Sequence, residues 1–317
     1  MITRRATLAA LPTAALAQGG FPGRTIRVII PFGAGGGTDN LIRILEPHVT
    51  RTLGQPLVIE NRPGAGGIVG TEMAARAEPD GHTLLAMDST FCINTGLFPT
   101  LPYDPVRDFA PLALLAHAPI VLLAHPSVPA TTLAELIALA RARPGTLSYA
   151  SGGNGAPTHL GGEMFKIAAG IQLTHLPYRG TGPAMNDIIA GHVPLGFNGL
   201  SAARPHILSG RVRALAVTGD ARAEAFPEIP TFNEAGIRGV DMYTHWGVLT
   251  RAGTPGPARQ ALSDAFTTAV LREDLRARLN DLGYVPAGGD AARYADTITR
   301  DTRRFTEVIR ASAIRPD

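Results

Sequence analysis

Short runs of β-branched and aliphatic residues alternate along the chain with segments whose apolar positions recur every three or four residues. The first series reads "TIRVII", then "DNLIRILEPHVTRTL", "PLVIE", "GIVGTEMAARA" and "HTLLAM". A second follows with "PIVLLAH", "TLAELIALARAR", "LSYAS", "HLGGEMFKIAAG", "LTHLPYRG", "GPAMNDIIAG", "VPLGFNG" and "RALAVTG". Strand patterns alternating with helix patterns predict βαβ units and a mainly parallel sheet. The last third returns through "HWGVLT" to helices at about 255–271, 273–282 and 290–311. The architecture is thus written twice, with no long linker between the copies, which predicts two lobes joined by strands that cross between them.

In such sheets ligands sit at the carboxyl ends of the strands, beside the helix N-termini. The loops at that position are rich in glycine and small polar residues: "PFGAGGGTD", "NRPGAGG", "MDSTF", "ASGGNGAPTH", "PYRGTG" and "FNGLS". Glycine in one such loop is ordinarily only a turn; repetition at one topological position, alternating between the two copies, predicts a cleft fed from both sides. The first loop carries four glycines between Gly33 and Gly37. Thr38 or Asp39 is placed to cap the helix that follows, whose N-terminus favours an anion.

Several chemistries fail on spacing. Read from Gly33, the dinucleotide pattern G-x-G-x-x-G meets Thr38 at its third glycine, and read from Gly64 it meets Val69. A phosphate loop needs a lysine before its Ser or Thr, but Gly37 is followed directly by Thr38. Ser151 lacks the G-x-S-x-G elbow, since Tyr149 stands at the first glycine. The nine histidines show no metal-ligand spacing. A secreted serine hydrolase using Ser151 or Ser89 with a histidine stays as the alternative to a binding protein.

Composition adds two constraints. The 29 basic and 26 acidic residues are scattered, without a basic run, which argues against nucleic-acid binding. Residues 1–17 combine Arg4 and Arg5, a short apolar stretch and Ala15-Leu16-Ala17, the pattern of a secretory signal peptide by the general or the twin-arginine route. Cys92 is the single cysteine, so the fold rests on its core rather than on a disulfide.

From "IRVIIPFGAGGGTDN" through "LGQPLVIENRPGAGGIVG", "PDGHTLLA", "LPYDPVRDFAPLALL" and "HLPYRGTGPAMNDIIAGHVPLGF" to "WGVLTRAGTP", the chain resembles the extracytoplasmic solute-binding proteins of tripartite tricarboxylate transporters, the Bug family. The resemblance implies an α/β, two-lobed periplasmic-binding-protein fold of the Venus-flytrap, type II-like kind. It divides the chain into a signal peptide (1–17), one lobe from 18–118 with 245–317, and a second from 119–244. It further implies a periplasmic monomer that binds a small mono- or dicarboxylate and delivers it to a membrane permease, with no catalysis, metal or cofactor.

Carried onto this chain, the resemblance places ligand contacts at Phe32, Gly33, Ala34, Gly35, Gly36 and Asp39 in the first loop. Gly66 follows in the second, Ser89 and Thr90 in the third, and Ser151, Gly155, Thr158 and His159 in the fourth. Tyr178, Gly180 and Asn198 complete the set, with backbone N–H groups as the main donors and Arg62 and Arg179 as structural residues. Two positions depart from the family's pattern. Asn198 stands where the family often has aspartate, which argues against an amino-acid ligand. Ala156 stands where a hydroxyl residue is usual, which removes one polar group from the pocket.

Overall fold

A computed structural model describes residues 20–178 and 180–316, so the expected signal peptide and Arg179 lie outside the described residues. The elements run β1 (Ile26–Ile30), α1 (Gly37–Leu53), β2 (Leu57–Asn61), α2 (Ile68–Ala75), β3 (Thr83–Asp88), α3 (Thr90–Leu97) and β4 (Phe109–Ala124). They continue with α4 (Leu133–Ala142), β5 (Ser148–Ser151), α5 (Pro157–Ala169), β6 (Thr174–Pro177), α6 (Thr181–Ile189), β7 (Leu195–Gly199), α7 (Leu200–Leu208) and β8 (Arg213–Val217). The chain closes with β9 (Tyr243–Arg251), α8 (Gly256–Val270), α9 (Glu273–Asp281), β10 (Val285–Gly289) and α10 (Ala291–Ala311). The alternation predicted from hydrophobic period is thus present, and the three C-terminal helices fall within a residue or two of their expected bounds.

The sheets are mixed rather than mainly parallel. β1 pairs in parallel with β2 and β3, and β5 with β6 and β7. The antiparallel part comes from β9, which pairs with β3 and β4, and from β4, which runs through both sheets. β4 pairs with β9 over Phe109–Pro119 and with β10 over Leu114–His117, then with β7 and β8 from Ile120 or Val121 to Ala124. Phe109–Ala124 is almost continuously apolar because β4 is covered along nearly its whole length, and such a strand shows no period-2 alternation. Its last rungs with β9 are Ala118 opposite Thr244 and Pro119 opposite Tyr243.

Three apolar clusters hold the layers. α1 and α8 cover one face of the first lobe through Ile42, Leu45, Leu262 and Phe266. α6 and α7 cover part of the second through Met185, Ile188 and Ala203. The largest cluster is shared between lobes: Phe91 of α3 and Tyr294 of α10 belong to the same core as Phe165 of α5 and Phe197 of β7. Fully burying one such side chain contributes roughly 1.5–3 kcal/mol, so this shared face sets the lobes against each other.

Candidate functional site

Six loops leave the carboxyl ends of β1, β2, β3, β5, β6 and β7, and Leu97, at the end of the helix after the third, packs against Gly155 in the fourth. The first, between β1 and α1, is held from behind by Asp39. One carboxylate oxygen accepts from Gly35 N (2.9 Å) and Arg43 Nε (2.9 Å), and the other from Asn61 Nδ2 (3.0 Å). Asn61 Nδ2 also donates to Phe32 O (3.1 Å), and Asn40 Nδ2 to Gly35 O (3.0 Å). Burial pushes the Asp39 carboxyl up, but these hydrogen bonds and the Arg43 charge outweigh it and hold it below the usual range.

With Asp39 tied to Gly35, neither it nor Thr38 caps α1: the N-cap is Gly36, without a side-chain bond. The first-turn N–H groups of α1 therefore keep their donor capacity. Gly33, Ala34 and Gly35 are exposed, and a Cβ at Gly33 or Gly35 would meet open space. Gly35 needs its φ of +80°, which few side chains allow. Phe32 is half-buried and packs on the core near Gly67. In the second loop Gly66 is exposed, its carbonyl held by Asn94 Nδ2 (2.9 Å).

Across the cleft, three loops join into one wall. Tyr178 N donates to Ser151 O (3.1 Å), Gly180 N to Gly152 O (3.1 Å), and Asn198 Nδ2 to Thr181 O (3.2 Å). Side chains of α5 fix the loop before it: Thr158 Oγ1 accepts from Gly152 N (2.9 Å) and His159 Nδ1 from Gly155 N (3.1 Å). Behind them, His159 stacks on His175 with ring centroids 3.6 Å apart and lies 3.7 Å from Glu163. Burial alone would raise the Glu163 carboxyl; hydrogen bonds from His159, Lys166 and Tyr149 outweigh it and bring it down to about 2. The N-caps of α5, α6 and α7, namely Ala156, Gly180 and Gly199, carry no side-chain bond. By contrast, Thr132 and Asp290 cap α4 and α10.

The residues expected from sequence divide accordingly. Gly33, Ala34, Gly35, Gly36, Gly66 and Gly180 present exposed or half-exposed backbone. Asp39, Ser89, Thr90, Ser151, Thr158, His159 and Tyr178 have polar atoms engaged inside the protein. Ser89 Oγ donates to Tyr243 O (3.1 Å) and accepts from His245 N (2.8 Å), Thr90 is bonded to Asp88, and Tyr178 OH donates to Asp187 (2.6 Å). Gly155 is buried, with no room for a Cβ against Leu97 of the other lobe. Asn198 is 1% exposed and its Oδ1 has no hydrogen-bond partner, an acceptor that a ligand or water donor would satisfy. Arg62 is exposed and paired with Glu60 (3.1 Å). Asn61, Asn94 and Thr181, which hold the loops, carry no signature in the sequence.

Neither candidate serine has hydrolase geometry. In a Ser-His-acid triad the serine and the acid engage opposite ring nitrogens. Here Ser89 Oγ and Asp301 Oδ2 both approach His245 Nδ1, at 3.1 and 3.2 Å, and Ser89 is fully buried. Ser151 lies 2.7 Å from His175 Nε2, but it too is fully buried, and its Oγ accepts from Gly153 N (3.2 Å) in its own turn.

Residues 41–314 match the model of the tripartite tricarboxylate transporter family receptor. Protein BugT of Bordetella pertussis is 37% identical over 236 residues, covering 74% of this chain and 72% of its own. Among solved structures, MatC of Rhodopseudomonas palustris with bound malate is 33% identical with a TM-score of 0.80, covering 91% of this chain and all of that one. A second R. palustris protein, solved with adipate, is 30% identical with a TM-score of 0.82, covering 94% and 100%.

Proposed function

The chain belongs to the tripartite tricarboxylate transporter receptor family, and on that premise we propose that it captures a small mono- or dicarboxylate between its lobes and delivers it to a membrane permease. The family is one of periplasmic solute-binding receptors. In this reading residues 1–17 export the chain, which works as a monomer. The lobes divide near residues 119 and 244 and close on the ligand by bending there. No helix among the described residues is long and apolar enough to cross a membrane.

The observation that carries the reading is the pairing of the uncapped α1 N-terminus and its open glycine crest with the uncapped N-termini of α5, α6 and α7 opposite. Hydrogen bonds to a charged group contribute roughly 1.5–3 kcal/mol each, so a few backbone donors reach micromolar affinity without an arginine clamp. Asp39, His159 and Asn61 then act as positioning residues, holding the donor loops in place. The malate and adipate bound by the two relatives fit this chemistry.

A thermal-shift screen of the mature chain against carboxylates, run beside an esterase assay, tests the proposal. A ligand at a hundred times its dissociation constant contributes about 2.7 kcal/mol, expected here as a rise of about 5 °C. Ester turnover without any carboxylate shift would replace the proposal with the hydrolase reading.

Asn198 offers a sharper probe of ligand choice. Aspartate there would lose the donor to Thr181 O and set a negative charge beside an anionic ligand. Asn198→Asp is expected to weaken a simple dicarboxylate about tenfold in calorimetric titration. Equal affinities would assign the side chain to the scaffold alone.

A further inference from the structure

Beside the crossing strands the two lobes leave a groove of about 480 Å³, within the range of small-molecule pockets. It contains none of the ligand contacts expected from sequence. His117, Pro119 and Tyr243 of the crossing region line it, together with Leu200 and Arg204 of α7 and Tyr284 before β10. Leu200 directly follows Gly199, the N-cap of α7, and Tyr284 OH donates to Gly37 O (2.8 Å), the first residue of α1. The groove thus runs on from the two helix N-termini that the capture reading places around a carboxylate.

Its charge is uneven. Asp220, Glu224, Arg276 and Asp281 line it at exposed positions, and Arg222 is paired with Glu234 (2.8 Å). Arg204 is half-buried on the inner wall, and no hydrogen bond or ion pair engages it among the described residues. The remaining inner surface is mostly apolar. His117 adds no charge there, since burial and the nearby Arg293 and His245 push its imidazole down. A half-buried guanidinium without a partner on an apolar wall matches a chain-like molecule that ends in an anion.

We propose that the groove receives the far end of an elongated α,ω-dicarboxylate, its methylenes lying on Leu200, Pro119 and Tyr284 and its distal carboxylate pairing with Arg204. The proposal rests on the carboxylate-capture reading and makes Arg204 the residue that selects for ligand length. The proposal requires a C4 diacid held at the helix N-termini to stop short of the guanidinium and a C6 or C8 diacid to reach it.

Calorimetry on the full mature chain with succinate, adipate, suberate and the monoacid hexanoate tests this, using wild type, Arg204→Gln and Arg204→Lys. Melting temperatures of the variants establish that each is folded. The longer diacids are expected to bind the wild type more tightly than succinate does. Arg204→Gln should weaken the longer diacids about tenfold while changing succinate and hexanoate less than twofold, and Arg204→Lys should recover part of the loss. Equal response of short and long diacids to Arg204→Gln, or no response at all, overturns the proposal while leaving carboxylate capture intact. Binding of none of the four acids to the wild type would overturn the proposal, while the carboxylate screen decides the capture reading.

Discussion

Gly36→Val is expected to yield a folded chain that binds its carboxylate at least a hundredfold more weakly, a loss of about 2.7 kcal/mol. Gly36 has φ −73° and ψ 171°, extended backbone that any residue adopts. The only neighbour of an added Cβ is Gly33 O at 3.4 Å. Losing glycine at an N-cap costs the helix about 1 kcal/mol, which a chain of this size tolerates. The valine methyls would stand before the α1 donors, where a ligand must approach bare backbone. Gly35→Val probes the same crest less cleanly, because φ +80° adds backbone strain. Calorimetry with any carboxylate found in the thermal screen, beside a melting curve, makes the check. Undiminished affinity in the folded variant would remove this loop from the site.

Glu163→Gln is expected to cost about 3 kcal/mol of stability at neutral pH. The carboxylate accepts from Tyr149 OH (2.7 Å) and from Lys166 Nζ (2.8 Å to each oxygen), with a side chain only 7% exposed. Its folded pKa of about 2 lies below the value of about 4.3 expected for an unfolded glutamate. The stabilisation is therefore fully present above about pH 4.3 and fades as pH falls toward 2. Urea unfolding at pH 7 should separate the two proteins clearly, and the gap should narrow when the series is repeated from pH 4 to pH 2.5. Equal stabilities at pH 7 would show that the network contributes nothing net. Because His159 links Glu163 to Gly155 N, the variant should also loosen one wall of the cleft.

Much of the frame was legible because it is written in local period and turn chemistry: the strand and helix alternation, the glycine loops at strand ends and the C-terminal helices. α3, α7 and β10 were not anticipated, being short and without a clean period. β4 was read only from Pro119 onward, because Pro111 and His117 interrupt its first half. At the site, sequence located the loops but not the direction in which side chains point. Ser89 turns inward because its partners, Tyr243 and His245, stand 154 and 156 residues further on. Asp39 faces its own loop because Asn61, 22 residues away, completes the clamp. Such partnerships form only when the sheet assembles, so no spacing rule announces them. The groove beside Arg204 was invisible for the same reason, drawing its walls from both lobes.

Pro119 has one more effect. It occupies the last rung of the β4–β9 ladder and has no N–H to give, so flexing the backbone there ruptures no bond donated by that residue. The work of parting the lobes then falls on the apolar cluster they share and on side-chain contacts such as Leu97 against Gly155 and Arg304 with Asp241. In the capture reading, a ligand held across the cleft shifts the balance between open and closed forms only by as much as its preference for the closed one. If the proposed delivery to a permease holds, a partner surface that displaced Leu97 from Gly155 and Arg304 from Asp241 would favour the open form without unfolding either lobe.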